Sequence, residues 1–107
     1  MSDNILREKS YKFALRVVRL SEYLTKEKKE FVLSRKVLDS GTSIGVFVEE
    51  ARQSTGHTEF IAKYSLANKE AFKTNFWLRV LRDSDYIKPD HAASMLADCE
   101  ELQKMLV

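Results

Sequence analysis

Apolar side chains recur every three or four residues along almost the whole chain, and this one pattern confines it to helices. Leu6, Phe13, Val17, Leu20 and Leu24 keep the spacing of a single helical face, which predicts a helix over residues 4–26. The charged stretch KEKKE at 26–30 forms the first link. A second helix follows over 30–53, with Val37, Gly41, Ile44, Val48 and Ala51 in near-heptad register. STGH at 54–57 is the next break, with Thr55 as N-cap of a helix over 56–83 built on Phe60, Tyr64, Ala67, Ala71, Leu78 and Leu81. RDSDYIKPD ends it. Pro89 suits the first turn of a last helix over 89–106, since its missing N–H would be unpaired there anyway. Ala92, Leu96, Cys99, Leu102 and Leu106 give that helix its inner face. No segment alternates apolar and polar residues as a strand does. The short links make neighbouring helices antiparallel, so the expected fold is all-α: one domain over 1–107, an up-down-up-down four-helix bundle.

Two of the three glycines, Gly41 and Gly45, fall inside the second helix. Each costs about 1 kcal/mol there relative to alanine. With Ser40 and Ser43 beside them, they predict a surface on which a partner helix comes close, and Gly45→Leu is expected to overpack it. A ligand approaching bare backbone is the competing explanation. A phosphate loop is not, because the preceding strand and the third glycine are missing.

No apolar run approaches the ~18 residues that span a membrane. The opening MSDNILREKSYKF lacks the apolar core of a signal peptide. With a single cysteine, Cys99, no internal disulfide forms. Together these predict a cytoplasmic protein without a membrane partner.

Little in the chain suggests catalysis. His57 and His91 fall at a link and a helix start, and neither has the i, i+4 partner of a helical metal pair. Bundles that hold paired metals use Glu-x-x-His, which is absent here. Glu50 and Glu70 are expected to form ion pairs with Lys69 and Arg52 at the bundle edge. Cys99 shares the inner face of the last helix and reads as a buried, inert thiol. No catalytic residue, metal or cofactor is expected, and the chain does not read as an enzyme.

Surface pattern says more. Residues 1–53 hold 11 Lys/Arg against 8 Asp/Glu, and residues 54–107 hold 7 against 8. In the first helix Lys9, Lys12, Arg16 and Arg19 recur at intervals of 3, 4 and 3, within an arc of about 80° that Tyr23 and Lys26 extend. Such a row could neutralise phosphates, and an aromatic beside it could stack on an unpaired base. The competing explanation is a solvated charged face. In the third helix Phe72, Phe76, Trp77 and Val80 lie outside the core stripe, and a helix apolar on a second face calls for a second burial partner. These four are the expected self-association surface.

From Ser40 onward the chain carries TSIG at 42–45, EEA at 49–51, EF at 59–60, KEA at 69–71 and TNFWLRVL at 74–81. In that order and spacing they resemble the 23S rRNA intervening-sequence protein family of bacterial four-helix bundles. Where the family continues SIG with Ala-Asn, this chain has Val46 and Phe47, so the role of that asparagine does not carry over. Phe47 is expected to add packing surface instead. The resemblance implies a left-handed antiparallel bundle, a ring-shaped homopentamer and no enzymatic activity. It also implies kinship with accessory proteins of diversity-generating retroelements, which bind nucleic acid and a reverse transcriptase. Two functions follow as alternatives: non-specific RNA or DNA binding through the first helix, or a scaffold that recruits a protein.

Overall fold

The computed structural model describes residues 2–107, with side chains from Asn4 onward. Four helices form it: α1 (Ser2–Lys26), α2 (Leu33–Arg52), α3 (His57–Asp83) and α4 (Pro89–Leu106). No strand occurs among the described residues. Paired positions run in opposite order along neighbouring helices. Arg7 of α1 meets Glu49 of α2, while Val17 packs against Gly41. Lys9 reaches Glu101 of α4, while Arg16 reaches Asp98. The α1–α2 and α3–α4 links therefore share one end of a body 44 Å long.

Every apolar position assigned to the inner faces of the first, second and fourth helices is buried. In α3 the core runs through Ala67, Ala71, Leu78 and Leu81, while Phe60 and Tyr64 are half-buried near its start. Met95 is also fully buried. Ser40 and Thr74 are polar groups partnered in the core, while the buried Asn68 Oδ1 has no hydrogen-bond partner among the described residues. The Ser40 and Thr74 hydroxyls lie 2.9 Å apart, and that of Thr74 is 2.8 Å from the Glu70 carbonyl oxygen.

The links depart from expectation in ways the backbone explains. α2 begins at Leu33 instead of residue 30, because Lys29 turns left-handed with φ 53°. The Glu30 N–H then donates to the Leu24 carbonyl at 2.9 Å. The Glu30 carboxylate accepts from the Ser34 N–H at 2.9 Å, filling from outside the helix the role a capping side chain would have. At the start of α3 the N-cap is Gly56 and not Thr55, whose hydroxyl lies 3.4 Å from the Glu59 carboxylate. Pro89 opens α4 as expected. α3 ends in a Schellman motif: Asp85 takes φ 64°, its N–H donates to the Arg82 carbonyl, and the Tyr86 N–H donates to that of Leu81.

The close approach predicted from the glycines is real, and it sits at Gly41. A Cβ there would lie 2.7 and 2.8 Å from the Val17 methyl carbons. At Gly45 the nearest atom would be the Ser10 carbonyl oxygen at 3.5 Å, an ordinary contact. Gly41→Ala should therefore destabilise the bundle by about 1–3 kcal/mol through overpacking. Gly45→Ala should be neutral or stabilising by up to about 1 kcal/mol through helix propensity. Urea melts of both variants check this pair. Asp85→Gly should raise stability by roughly 0.5–1 kcal/mol, since glycine occupies the left-handed region without penalty; the same melts read it.

Candidate nucleic-acid interface and association face

The basic row of α1 lies along the seam with α4, and that position changes its meaning. Lys9 Nζ is 3.2 Å from the Glu101 carboxylate. Arg16 binds Asp98 at 2.6 Å and donates to the Ser94 hydroxyl at 3.1 Å. Lys12 pairs with Glu8 one turn earlier, at 2.9 Å. Arg19 and Lys26 have no ion pair among the described residues. Tyr23 is half-buried against the core, with Lys28 Nζ 6.0 Å from its ring centre. The row thus divides. Lys9 and Arg16 tie α1 to α4 and Lys12 pairs within α1, while the rest of the row continues into cations of the first link that have no ion pair among the described residues.

Of that continuation, Lys26, Lys28 and Lys29 of the charged first link are the next candidates that the sequence offers, whereas Arg35 and Lys36 are not singled out by it. Lys28, Lys29, Arg35 and Lys36 join Arg19 and Lys26 at the α1–α2 end of the bundle, and none of the six has a carboxylate partner among the described residues. Phe31 and Val32 stand at the tip of the same link, 60% and 66% exposed. A run of apolar residues after KEKKE reads as the onset of the second helix, which is why the tip went unnoticed.

On α3, Phe72 and Phe76 are 62% and 48% exposed. Val80 is half-buried. Trp77 packs on the core, edge-on to Phe76 at 5.1 Å, with Lys36 Nζ 5.9 Å from its ring centre. The outward apolar face is therefore centred on Phe72 and Phe76, with Ile61 and Leu66 also exposed on this helix. Sequence reading missed a second such face. Tyr11, Leu15 and Val18 of α1 are exposed at spacings of 4 and 3, and Val46 of α2 is exposed as well. A groove lined by Tyr11, Ala14, Gly45 and Val46 runs between the two helices.

Glu50 pairs with Lys63 at 2.8 Å, and Glu70 with Lys73 at 3.1 Å, where Lys69 and Arg52 were expected. Arg52 donates instead to the Asn4 side-chain oxygen at 3.2 Å. Phe47 packs on the core beneath Lys63. His57 is exposed at the start of α3. Desolvation, with a smaller contribution from the Arg16 charge, holds His91 below the usual histidine range. No cluster of three metal-ligating side chains occurs among the described residues. No described helix is long and apolar enough to cross a membrane.

Cys99 is buried, with Sγ 3.3 Å from the Ala71 carbonyl oxygen. Burial, reinforced by Glu100 and Asp98, pushes its thiol up to about 12. The thiolate is the reactive form, so the native protein should not react with a disulfide reagent at pH 8, and one full equivalent should react in urea. Absorbance of the released thiolate measures both.

A family model described as 23S rRNA-intervening sequence protein matches residues 2–107. Among solved structures, the chain is similar to a protein of unknown function from the S23 ribosomal protein family of Bacteroides thetaiotaomicron VPI-5482. The two share 42% identity over 99% of this chain and 95% of that one, with a TM-score of 0.98. A search of curated proteins gives no match. A full-length family match joined to a near-superposable relative leaves one assignment, and the chain belongs to the 23S rRNA-intervening sequence protein family.

Proposed function

We propose that the protein is a non-enzymatic, self-associating bundle that binds RNA or DNA through positive charge, with little sequence preference. The observation that carries this reading is the grouping of unpaired cations. Between positions 19 and 36 the chain has six Lys/Arg against Glu22, Glu27 and Glu30, and none of the six is compensated by an ion pair among the described residues. Lys9, Lys12 and Arg16 contribute less than their spacing suggests, because each already faces a carboxylate. The names of the family and of the related structure both refer to the ribosome or its RNA, which fits such a partner.

Self-association multiplies the effect. The exposed Phe72 and Phe76 support a second burial partner for α3, and the family resemblance favours a ring of five left-handed bundles. Each subunit of a ring would present its basic corner, raising avidity for a long polyanion. The reading includes a cytoplasmic location, in keeping with a chain holding one cysteine. A protein-recruiting scaffold, for instance for a reverse transcriptase, is the second reading. The exposed Tyr11, Leu15, Val18 and Val46 favour it.

Sedimentation at micromolar concentration should give a discrete oligomer, and Phe76→Glu should shift it toward monomer with helicity retained. Only ~12 kDa monomer for the wild type would remove the assembly. Anisotropy titrations with RNA and DNA should show affinity falling by roughly 10³ between about 50 and 200 mM salt if some six phosphates are contacted. No binding at low salt would leave the scaffold reading in place.

A further inference from the structure

The link between α1 and α2 exposes Phe31 and Val32, side chains that a helix start would ordinarily turn inward, as it does Leu33 immediately after. The exposure is built into the backbone. Lys29 takes φ 53°, the Glu30 N–H is tied back to the Leu24 carbonyl at 2.9 Å, and the Glu30 carboxylate holds the Ser34 N–H. The tip is therefore held by α1 on one side and by α2 on the other. Lys28 and Lys29 precede it, and Arg35 and Lys36 follow it by one helical turn. Of the acids within the link, Glu30 is occupied with the helix start and only Glu27 is left facing solvent.

We infer that this corner is a binding site for single-stranded nucleic acid, in which Phe31 stacks on an unpaired base and Lys28, Lys29, Arg35 and Lys36 hold the flanking phosphates. It rests on the nucleic-acid reading above and specifies strand state and site. An aromatic ring beside several cations matches both parts of a strand, the base face and the backbone charge. A duplex keeps its base faces stacked away from Phe31, so only its phosphates would engage. A flat anionic membrane is the other partner suited to a basic, apolar tip. It would also press on Asp83, Asp85 and Asp90, which lie at the same end of the bundle at and beyond the close of α3. Arg82 compensates only the first of these by an ion pair. A flexible strand can follow the α1–α2 corner and avoid them.

The test is an anisotropy titration of the whole protein with a fluorescein-labelled 20-nucleotide oligo-dT or oligo-U, the matching duplex, and vesicles containing phosphatidylserine. The single strand should bind at least about tenfold more tightly than the duplex. Phe31→Ala should weaken strand binding by roughly 5- to 100-fold while leaving duplex binding nearly unchanged. Phe31→Trp should keep the affinity, and its emission should be quenched as the strand stacks. Lys28→Glu with Lys29→Glu should weaken both nucleic acids and flatten the salt dependence. Sedimentation of each variant confirms that assembly is intact. Failure of every oligonucleotide to bind the wild type at about 50 mM salt would overturn the underlying reading. Binding that is unchanged in Phe31→Ala, equal for duplex and strand, or replaced by vesicle binding would overturn the site and leave that reading standing.

Discussion

Everything about the relation of α1 to α2 depends on the missing side chain at Gly41. The Val17 methyl groups occupy the space a Cβ would fill, so the two helix axes approach more closely there than any other residue permits. That approach sets the register toward the start of α1: Ser10 beside Gly45, Arg7 with Glu49, and Asn4 with Arg52. The propensity lost at Gly41 is offset by packing that places both elements. Gly45, one turn on, is only half-buried and shapes the floor of a surface groove.

The opposite flank of α1 is organised by charge. Its seam with α4 is the most thinly packed of the four, and Arg16 with Asp98 and Lys9 with Glu101 bridge it. Pairs so open to water each contribute only about 0–1 kcal/mol. Their larger effect is to divide the basic row of α1. Near the chain's start Lys9 and Arg16 bind α4 and Lys12 pairs within α1; near the first link Arg19 and Lys26 have no ion pair among the described residues. One periodic pattern thus passes from ion-paired to unpaired cations, among the described residues, along a single helix.

Local periodicity made the fold readable. Each inner-face residue had only to repeat every three or four positions, and burial then follows from amphipathicity whatever the partner helix is. The ion pairs of the seam were not readable, because Asp98 and Glu101 lie 82 and 92 residues from their partners and nothing local links them. Glu50–Lys63 spans the second link, 13 residues apart, whereas Glu70–Lys73 is an i, i+3 pair that local helical spacing does offer. Phe31 and Val32 were misread for a different cause. Their side chains look like a helix onset, and only the left-handed turn at Lys29 delays that onset by a few residues. A lysine carries no signal for positive φ, so that turn had to be observed.

The thin α1–α4 seam also bears on how the native state opens. α4 is fastened mainly to α3, through Cys99 on Ala71 and the core around Leu78 and Leu102, and only loosely to α1. A fluctuation that releases α4 breaks one good interface, whereas releasing α2 breaks two. Local opening follows the weakest boundary, so α4 is the helix expected to open first. Amide exchange would then report α2 as the last helix to lose protection, with the Val17–Gly41 contact inside the part that stays closed.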